Sequence, residues 1–418
     1  MSDKRYRAVV IGGGVVGCNI LFQLTKAGWS DVALCERHQL TAGATWHSSG
    51  HISALTPSKD LSRLAMTTRR MLKPLEAESG QALGLVESGS LRLATSSDQL
   101  REFEAIASQF AGVGLDAQIL DTGEASALWP MMEAQQVEGA LYLPHDCYLN
   151  AADFTQALAS AARTRGATVM QGNGIESIRQ LATGEWQLRG SQQDVIAEHV
   201  ISATGIFARR SPLSSYVTLP CAVITHQYLV TDTVDEVRQR RQQGRTRLPI
   251  LRQPDISLNV REEGEGLFVS VYEPHAQASF VDGVPNDFAM QLLPGDFGGV
   301  EPQFEAAIKR VPALGRAGIK SMVNGPMPWS PDFFPAIGPV ADLPNVWMAE
   351  AVCYGVTWSG GVAEVLARWI TTGDPGCDVS ALDCGRFDTH MNTGSLDAQA
   401  TAAYLGSYNP ETKRRHDV

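Results

Sequence analysis

Apolar and polar positions along the first forty residues spell out a strand, a turn, a helix and a second strand. Tyr6 to Ile11 is a short apolar run of strand type, and Gly12-Gly13-Gly14-Val15-Val16-Gly17 follows it directly. Cys18 to Lys26 is patterned as a helix, and Val32-Ala33-Leu34-Cys35 is a second apolar run ending at Glu36. Strand, glycine turn, helix, strand and acid in this order make a dinucleotide-binding unit. Gly12 permits the tight turn out of the strand. Gly14 lacks a Cβ, so a pyrophosphate can approach the backbone, and Gly17 lets the helix pack closely on the strand. The helix N-terminus offers free N–H groups to the phosphates. Glu36 is placed to accept hydrogen bonds from a ribose 2′-OH and would repel a 2′-phosphate, which disfavours NADP.

Further along, residues 37–60 (Arg37 to Asp60) read as a polar loop, followed by a helix from Leu61 to Glu78. Leu91 to Ala94 is expected as a strand, Gln99 to Phe110 as a helix, and Thr122 to Leu128 as a helix capped by Thr122. Asn150 is expected to cap a helix over Ala151 to Arg165. Short strands are expected at Ala140–Leu143, Ala167–Met170, Val195–Ser202, Ile224–Val230, Gly266–Tyr272 and Val346–Ala349. Helices are expected over Phe304–Val311 and, with apolar residues at helical spacing, over Gly360–Thr371. After Phe387 the chain turns polar, and a peripheral or disordered tail is expected. The pattern implies a discontinuous α/β and α+β architecture. A Rossmann-like nucleotide domain would comprise residues 1–50, 141–220 and 325–388. A mixed-sheet substrate domain would comprise 51–140 and 221–324, with 389–418 as the tail.

Composition narrows the function classes. The chain has 418 residues, 44% of them hydrophobic and 19% charged, which is ordinary for a soluble globular protein. Its net charge is −11, and Lys413-Arg414-Arg415 is the first basic cluster, so nucleic acid is not an expected partner. The seven cysteines are scattered without a CxxC and read as reduced thiols. No metal site is expected. The N-terminus enters the first strand without a leader-like segment, and no apolar run approaches the roughly 18 residues that a membrane span needs. A soluble, cytoplasmic protein without a membrane partner is expected.

Only one complete GxGxxG is present, whereas an enzyme passing electrons from NADH through a flavin usually needs a second nucleotide unit. Val200 to Gly205 is an apolar strand ending in the small-residue turn Ala203-Thr204-Gly205, suited to packing beside the first glycine turn. Gly338, Gly360 and Gly361 offer backbone N–H groups that could face a flavin ring, or they are packing glycines. Taken in this order, these features favour FAD over a nicotinamide.

The sequence resembles the dimethylglycine and sarcosine dehydrogenases within the D-amino acid oxidase/glycine oxidase superfamily. The matching stretches include Thr41-Ala42-Gly43-Ala44-Thr45-Trp46-His47, Gly89-Ser90-Leu91-Arg92-Leu93-Ala94-Thr95 and His226-Gln227-Tyr228. Val323-Asn324-Gly325-Pro326, Ser330-Pro331-Asp332, Ile337-Gly338-Pro339 and Gly360-Gly361-Val362 complete them. The resemblance implies FAD, amine substrates and a D-amino acid oxidase-like fold with a mixed sheet roofing the flavin. It also implies that His47 can be joined covalently to the flavin 8α-methyl, which suits a neutral imidazole acting as nucleophile. Two departures stand out. Longer members carry a C-terminal folate-binding domain, and this sequence ends at Val418, so capture of formaldehyde within the chain is not expected. Asn259 stands where relatives have an active-site tyrosine, and Trp358 stands where a histidine near the flavin is expected.

The chemistry implied is oxidation of a secondary or tertiary amine, such as an N-methylated amino acid, with oxygen or an electron-transfer protein as acceptor. His226 is a candidate to take the amine proton, with Tyr228 on the same strand face; either can equally be a packed strand residue. Trp329 and Trp358 are candidates for an aromatic wall around a methylated amine or for core. Arg261 either pairs with a substrate carboxylate or makes an ion pair with Glu262 or Glu263. The remaining cofactor candidates are Gly12, Gly14, Val15, Val16, Gly17, Glu36, Arg37, Thr45, Trp46, Ala203 and Gly205. The alternatives are a flavoprotein subunit of a larger amine dehydrogenase or oxidase complex and, less favoured, a nicotinamide dehydrogenase.

Overall fold

The computed structural model describes residues 4–56, 58–111 and 114–408. Its helices are α1 (Val15–Lys26), α2 (Lys59–Ser79), α3 (Ser97–Ala111), α4 (Thr122–Leu128), α5 (Ala151–Thr164), α6 (Asp235–Gln242), α7 (Glu301–Arg310), α8 (Gly355–Thr372) and α9 (Thr393–Tyr408). The strands assemble into two large sheets.

In the first sheet the order is Ala336–Pro339, Val346–Glu350, Val195–Ser202, Lys4–Ile11, Val32–Glu36 and Thr168–Gln171. Lys4–Ile11 pairs in parallel with Val32–Glu36 on one side and with Val195–Ser202 on the other. The order therefore reverses at the first strand, and the crevice beyond its carboxyl end is where ligands bind in such sheets. Helices α1, α5 and α8 pack on one face of this sheet, α2 packs on α5 and α8, and all four share its largest apolar core. Ala8–Ile11 and Val32–Cys35 in the central strands are buried throughout, which is why they read as unbroken apolar runs.

The second sheet is mixed, in the order Ala278–Ser279, Ala222–Thr231, Gly266–Val271, Leu258–Glu263, Ile250–Gln253, Ser90–Ala94, Gly139–Leu143 and Gln118–Leu120. Ile319–Trp329 pairs antiparallel along the whole of Ala222–Thr231. Residues 90–94 and 250–253 meet in parallel although about 160 positions of chain separate them. That pairing joins the two inserted segments into one layer.

Four expectations from sequence need correction. Helix α2 was placed with the substrate layer, but it packs on α5 and α8. Its buried Leu61, Leu64, Leu72 and Leu75 form a stripe that faces that core. Helix α4 is capped by Asp121, not Thr122; with Glu124 at the third helical position this is a complete capping box. Helix α8 starts at Gly355, so Gly360 and Gly361 lie mid-helix, where a Cβ would press into Thr68 and Leu64 of α2. Their role is close helix–helix contact. The expected tail carries helix α9, whose Leu396, Ala400 and Tyr404 recur every four residues and are fully buried. A stripe of three side chains in a segment rich in Ala, Gly and Ser is too narrow to register as amphipathic. Lys413-Arg414-Arg415 lie outside the described residues.

Candidate active site

One cavity of about 1540 Å³ runs from the glycine turn, between the two sheets, to the inner face of α9. Ligand pockets for a single drug-sized molecule are roughly 300–1,000 Å³, so this one has room for a dinucleotide and a small second molecule.

Its nucleotide end follows from the local sequence. Gly12 adopts φ +114°, a conformation that favours glycine, and a side chain there would collide with the Ala203 carbonyl. Gly14 caps α1 in extended conformation, and Thr45 Oγ1 accepts from Val15 N at 3.1 Å. Glu36 accepts from Gly13 N at 2.6 Å and from His38 N at 2.7 Å, which fixes its carboxylate at the rim. Each oxygen keeps a lone pair for a sugar hydroxyl. Arg37 also lines the cavity and is tied to Asn286 at 2.6 Å. Gly12, Gly14, Val15, Val16, Glu36, Arg37, Thr45, Ala203 and Gly205 all line this end.

Glu350, which the sequence did not single out, holds the 203–205 turn. Its carboxylate accepts from Ser202 Oγ (2.7 Å), Thr204 N (2.9 Å), Thr204 Oγ1 (2.8 Å) and Gly205 N (3.0 Å). Burial pushes its proton affinity up, and the four donors work against that shift.

In the middle of the cavity His47 is buried, and its Nε2 has no hydrogen-bond partner. Burial pushes its imidazole down to about 4, so the ring is neutral at ordinary pH. Trp46 packs edge-on against it at 5.5 Å but does not itself line the cavity. Gly325, on the facing strand, is the position that admits the ring, because a Cβ there would overlap the imidazole. A neutral buried nitrogen with an open lone pair, beside a glycine-lined slot long enough for a dinucleotide, fits the donor set that FAD needs.

The far end is roofed by the second sheet. His226, Tyr228 and Asn259 line it together. His226 Nδ1 is 3.0 Å from Glu273 Oε2, and its Nε2 is 3.0 Å from Ser270 Oγ. Tyr272 stacks on its ring at 4.3 Å. Tyr404 of α9 donates its phenol to Glu273 and lies 3.2 Å from His226 Nδ1. Glu273 also accepts from Gln227 N at 2.7 Å. Burial pushes Glu273 up, but the charge and hydrogen bond of His226 together with the Tyr404 phenol bring it below the usual carboxylate range. With Glu273 ionised, Nδ1 carries a proton, and in the neutral ring Nε2 accepts from the Ser270 hydroxyl, an assignment made from the partners.

Several expected residues are elsewhere. Gly17 and Gly338 are packing positions: a Cβ on Gly17 would strike the Gly12 carbonyl, and one on Gly338 would press on Trp369. Trp329 and Trp358 are fully buried and do not line the cavity. They stand behind Phe333 and Tyr354, which do line it. Arg261 does not line it either. It bonds to the Ser49 carbonyl and His51 Nε2, pairs with Glu263, and lies over the Tyr148 and Phe268 rings. Sequence reasoning missed Glu273, Ser270, Tyr272 and Tyr404, and it also missed Arg92 and Arg252 on neighbouring strands of the roof. Arg92 lies within a stretch already singled out, GSLRLAT, but nothing local marks it as facing a cavity.

Among the described residues no group of His, Cys, Asp and Glu is placed to hold a metal ion, and no helix is long and apolar enough to cross a membrane. All seven cysteines are free.

The family model described as FAD dependent oxidoreductase matches residues 7–369. Mitochondrial dimethylglycine dehydrogenase of Mus musculus is 33% identical over 405 residues, covering 96% of this chain and 46% of the relative. Mitochondrial sarcosine dehydrogenase of Homo sapiens is 32% identical over 388 residues, covering 91% of this chain and 41% of the relative. The chain thus spans about half the length of these curated relatives. Among solved structures, glycine oxidase from Geobacillus kaustophilus superposes with a TM-score of 0.75 at 22% identity, covering 92% of this chain and all of that one.

Proposed function

The chain belongs to the FAD-dependent oxidoreductase family, and from that premise we propose that it oxidises a secondary or tertiary amine, such as an N-methylated amino acid. The iminium formed hydrolyses to formaldehyde or another aldehyde and the dealkylated amine. The observation that carries the reading is the placement of His226 and Ser270, with Glu273 bonded to His226 behind them, in the roof of the same cavity whose opposite end is the dinucleotide turn. The names of the relatives, dimethylglycine and sarcosine dehydrogenases, support the same substrate class.

Bound FAD supplies the two-electron acceptor for a C–H bond beside nitrogen. Gly12 to Val16, Glu36, Thr45 and the 203–205 turn would hold its nucleotide part, and His47 would lie against its ring system. The protein's own work is to present the amine without its proton, because a protonated nitrogen has no lone pair to stabilise the developing cation. The proton that leaves the amine goes to Ser270 Oγ as the Ser270 hydroxyl proton passes to His226 Nε2, so the serine stays neutral, and Glu273 stabilises the imidazolium through Nδ1. Tyr272, Phe333 and Tyr354 exclude water from the reacting carbon. Oxygen or an electron-transfer protein is the proposed final acceptor.

The test is anaerobic mixing of the purified FAD-loaded protein with N-methylglycine, N,N-dimethylglycine and a series of other secondary and tertiary amines. Loss of the flavin's visible absorbance with release of formaldehyde is expected for an N-methyl amino acid. A protein whose colour no such amine bleaches does not have this function.

A further inference from the structure

His51 lines the cavity from the short strand His51–Ile52, four residues beyond His47. Its Nε2 lies 3.0 Å from Arg261 Nε, which donates to it. A guanidinium nitrogen can only donate, so Nε2 must hold the lone pair. Burial pushes the imidazole well below its ordinary value, and the charges of Arg261 and Arg252 add to this. The ring is therefore neutral, and Nδ1 carries its one proton, an assignment made from the partner. Nδ1 has no hydrogen-bond partner among the described residues. A cavity wall thus presents an N–H donor that has no acceptor of its own.

The surroundings hold this donor in place. Arg261 cannot turn away from Nε2, because its Nη1 donates to the Glu262 carbonyl and to Glu263, and its Nη2 to the Ser49 carbonyl. Tyr148 and Phe268 meet the imidazole edge-on at 6.4 and 5.3 Å. The strand pairs with Tyr148, and Thr357 Oγ1 donates to the His51 carbonyl at 2.9 Å. Thr357 precedes Trp358, which stands where the family resemblance expects a histidine near the flavin. Trp358 is fully buried and does not line the cavity. The imidazole that does line it beside Thr357 comes from the strand instead.

The acceptor for such a donor is either the amine or the flavin. An N–H aimed at the amine nitrogen would occupy the lone pair that the oxidation needs, so the amine is the wrong partner. A flavin ring system offers carbonyl oxygens, which suit a neutral donor. A hydride leaving the amine carbon carries one negative charge into a ring that starts neutral, and those oxygens share it. A hydrogen bond to an oxygen that gains negative charge strengthens as the charge arrives. We propose that His51 donates its Nδ1–H to a carbonyl oxygen of the bound flavin and so favours the reduced ring. Arg261 is the positioning residue that fixes the imidazole for this contact. The assignment adds to the amine-oxidising function proposed above and takes from it only the bound FAD.

The experiment measures midpoint potentials of the FAD-loaded native, His51→Leu and His51→Asn proteins by equilibration with redox dyes, with no amine present. Both variants take the acceptor away from Arg261. Only His51→Leu also removes the donor, because the asparagine amide puts an N–H near the Nδ1 position. His51→Leu is expected to lower the potential by about 30 mV, roughly a tenfold change in the two-electron equilibrium constant. It is also expected to shift the visible absorbance maxima, and His51→Asn should stay close to the native protein in both. A native potential in His51→Leu would overturn the proposal. So would a potential equally low in His51→Asn, because the lost Arg261 contact would then be the cause. A spectral difference that appears only after N-methylglycine is added would give the N–H to the substrate and overturn the flavin contact. Should His51→Leu not retain FAD, titration of the FAD-free proteins with FAD takes the place of the potential. Weaker binding than in His51→Asn then supports the contact, and equal binding overturns it. No amine enters the potential measurement, so a protein that oxidises none can still show the effect, and the two readings fail separately.

Discussion

Tyr404 Oη lies 3.2 Å from His226 Nδ1 and donates to Glu273, so the last described helix completes a hydrogen-bonded cluster on a strand nearly 180 residues earlier. The phenol is one of the groups that hold Glu273 below the usual carboxylate range. A carboxyl depressed in the folded state contributes stability that is present above its ordinary value near 4.5 and is lost as pH falls through the folded value. Tyr404→Phe keeps the ring packing against Trp329 and Tyr272 and removes only the donor. It should cost about 1–3 kcal/mol at pH 7. That difference should shrink as Glu273 is protonated in acid. Urea unfolding of both proteins at pH 7 and near pH 3.5 checks it; an equal difference at both pH values would mean the phenol does not act through Glu273.

His47 carries a second expectation. Its orphaned Nε2 and neutral ring suit attachment to the flavin, so colour should stay with the acid-denatured polypeptide. His47→Ala should release the colour, and Gly325→Ala should do the same by pushing the imidazole out of its slot. The same burial gives a pH signature in FAD-free protein. A histidine whose folded value lies below its unfolded one stabilises fully above about 6.5 and loses stability as pH falls toward about 4. The total is roughly 3 kcal/mol. Chemical denaturation of FAD-free native and His47→Asn proteins at pH 7.5 and 5 should show a smaller acid loss in the variant.

These clusters also show which parts of the molecule were legible in the sequence. The glycine turn, its helix and Glu36 are close in sequence, and their spacing alone fixes their geometry, so they were readable. His47 and His226 came with the family resemblance. Glu273 and Tyr404 could not be read, because they meet His226 only after a strand pairing and the docking of α9, and neither event leaves a local pattern. Arg92 and Arg252 face one another through a parallel pairing across the two inserted segments, a relation that no periodicity encodes. Arg261, Trp329 and Trp358 carried the right side-chain chemistry, but it is used in a core and a loop anchor. Side-chain type said what each could do; burial and partners decided where.

Glu350 tests the anchoring of the cofactor end. Glu350→Gln keeps the volume but puts an amide N–H₂ where Gly205 N or the Thr204 donors need an acceptor. A buried donor left facing a donor costs about 1–3 kcal/mol. The expected outcome is a lower melting temperature and a reduced FAD content in the purified protein, with FAD affinity recoverable by excess cofactor. A variant that keeps full FAD occupancy and native stability would show that the 203–205 turn is held by other contacts.

Arg261 gives the sharpest contrast between the two readings of one residue. As a substrate-binding cation, its loss would raise the KM for an N-methyl amino acid and leave stability unchanged. In the structure it ties the Ser49 carbonyl and His51 to the second sheet and stacks on Tyr148 and Phe268 at 4.2 and 4.6 Å. Removing it frees the loop that carries His47 and leaves the half-buried Ser49 carbonyl without that donor. Arg261→Met should therefore destabilise the protein by about 2–4 kcal/mol, within the range for breaking a buried hydrogen-bonded charge. It should also lower the fraction of covalently bound flavin, while the KM for an N-methyl amino acid in the molecules that do carry flavin stays as in the native protein. A large rise in that KM with normal stability would instead make Arg261 a substrate-binding cation.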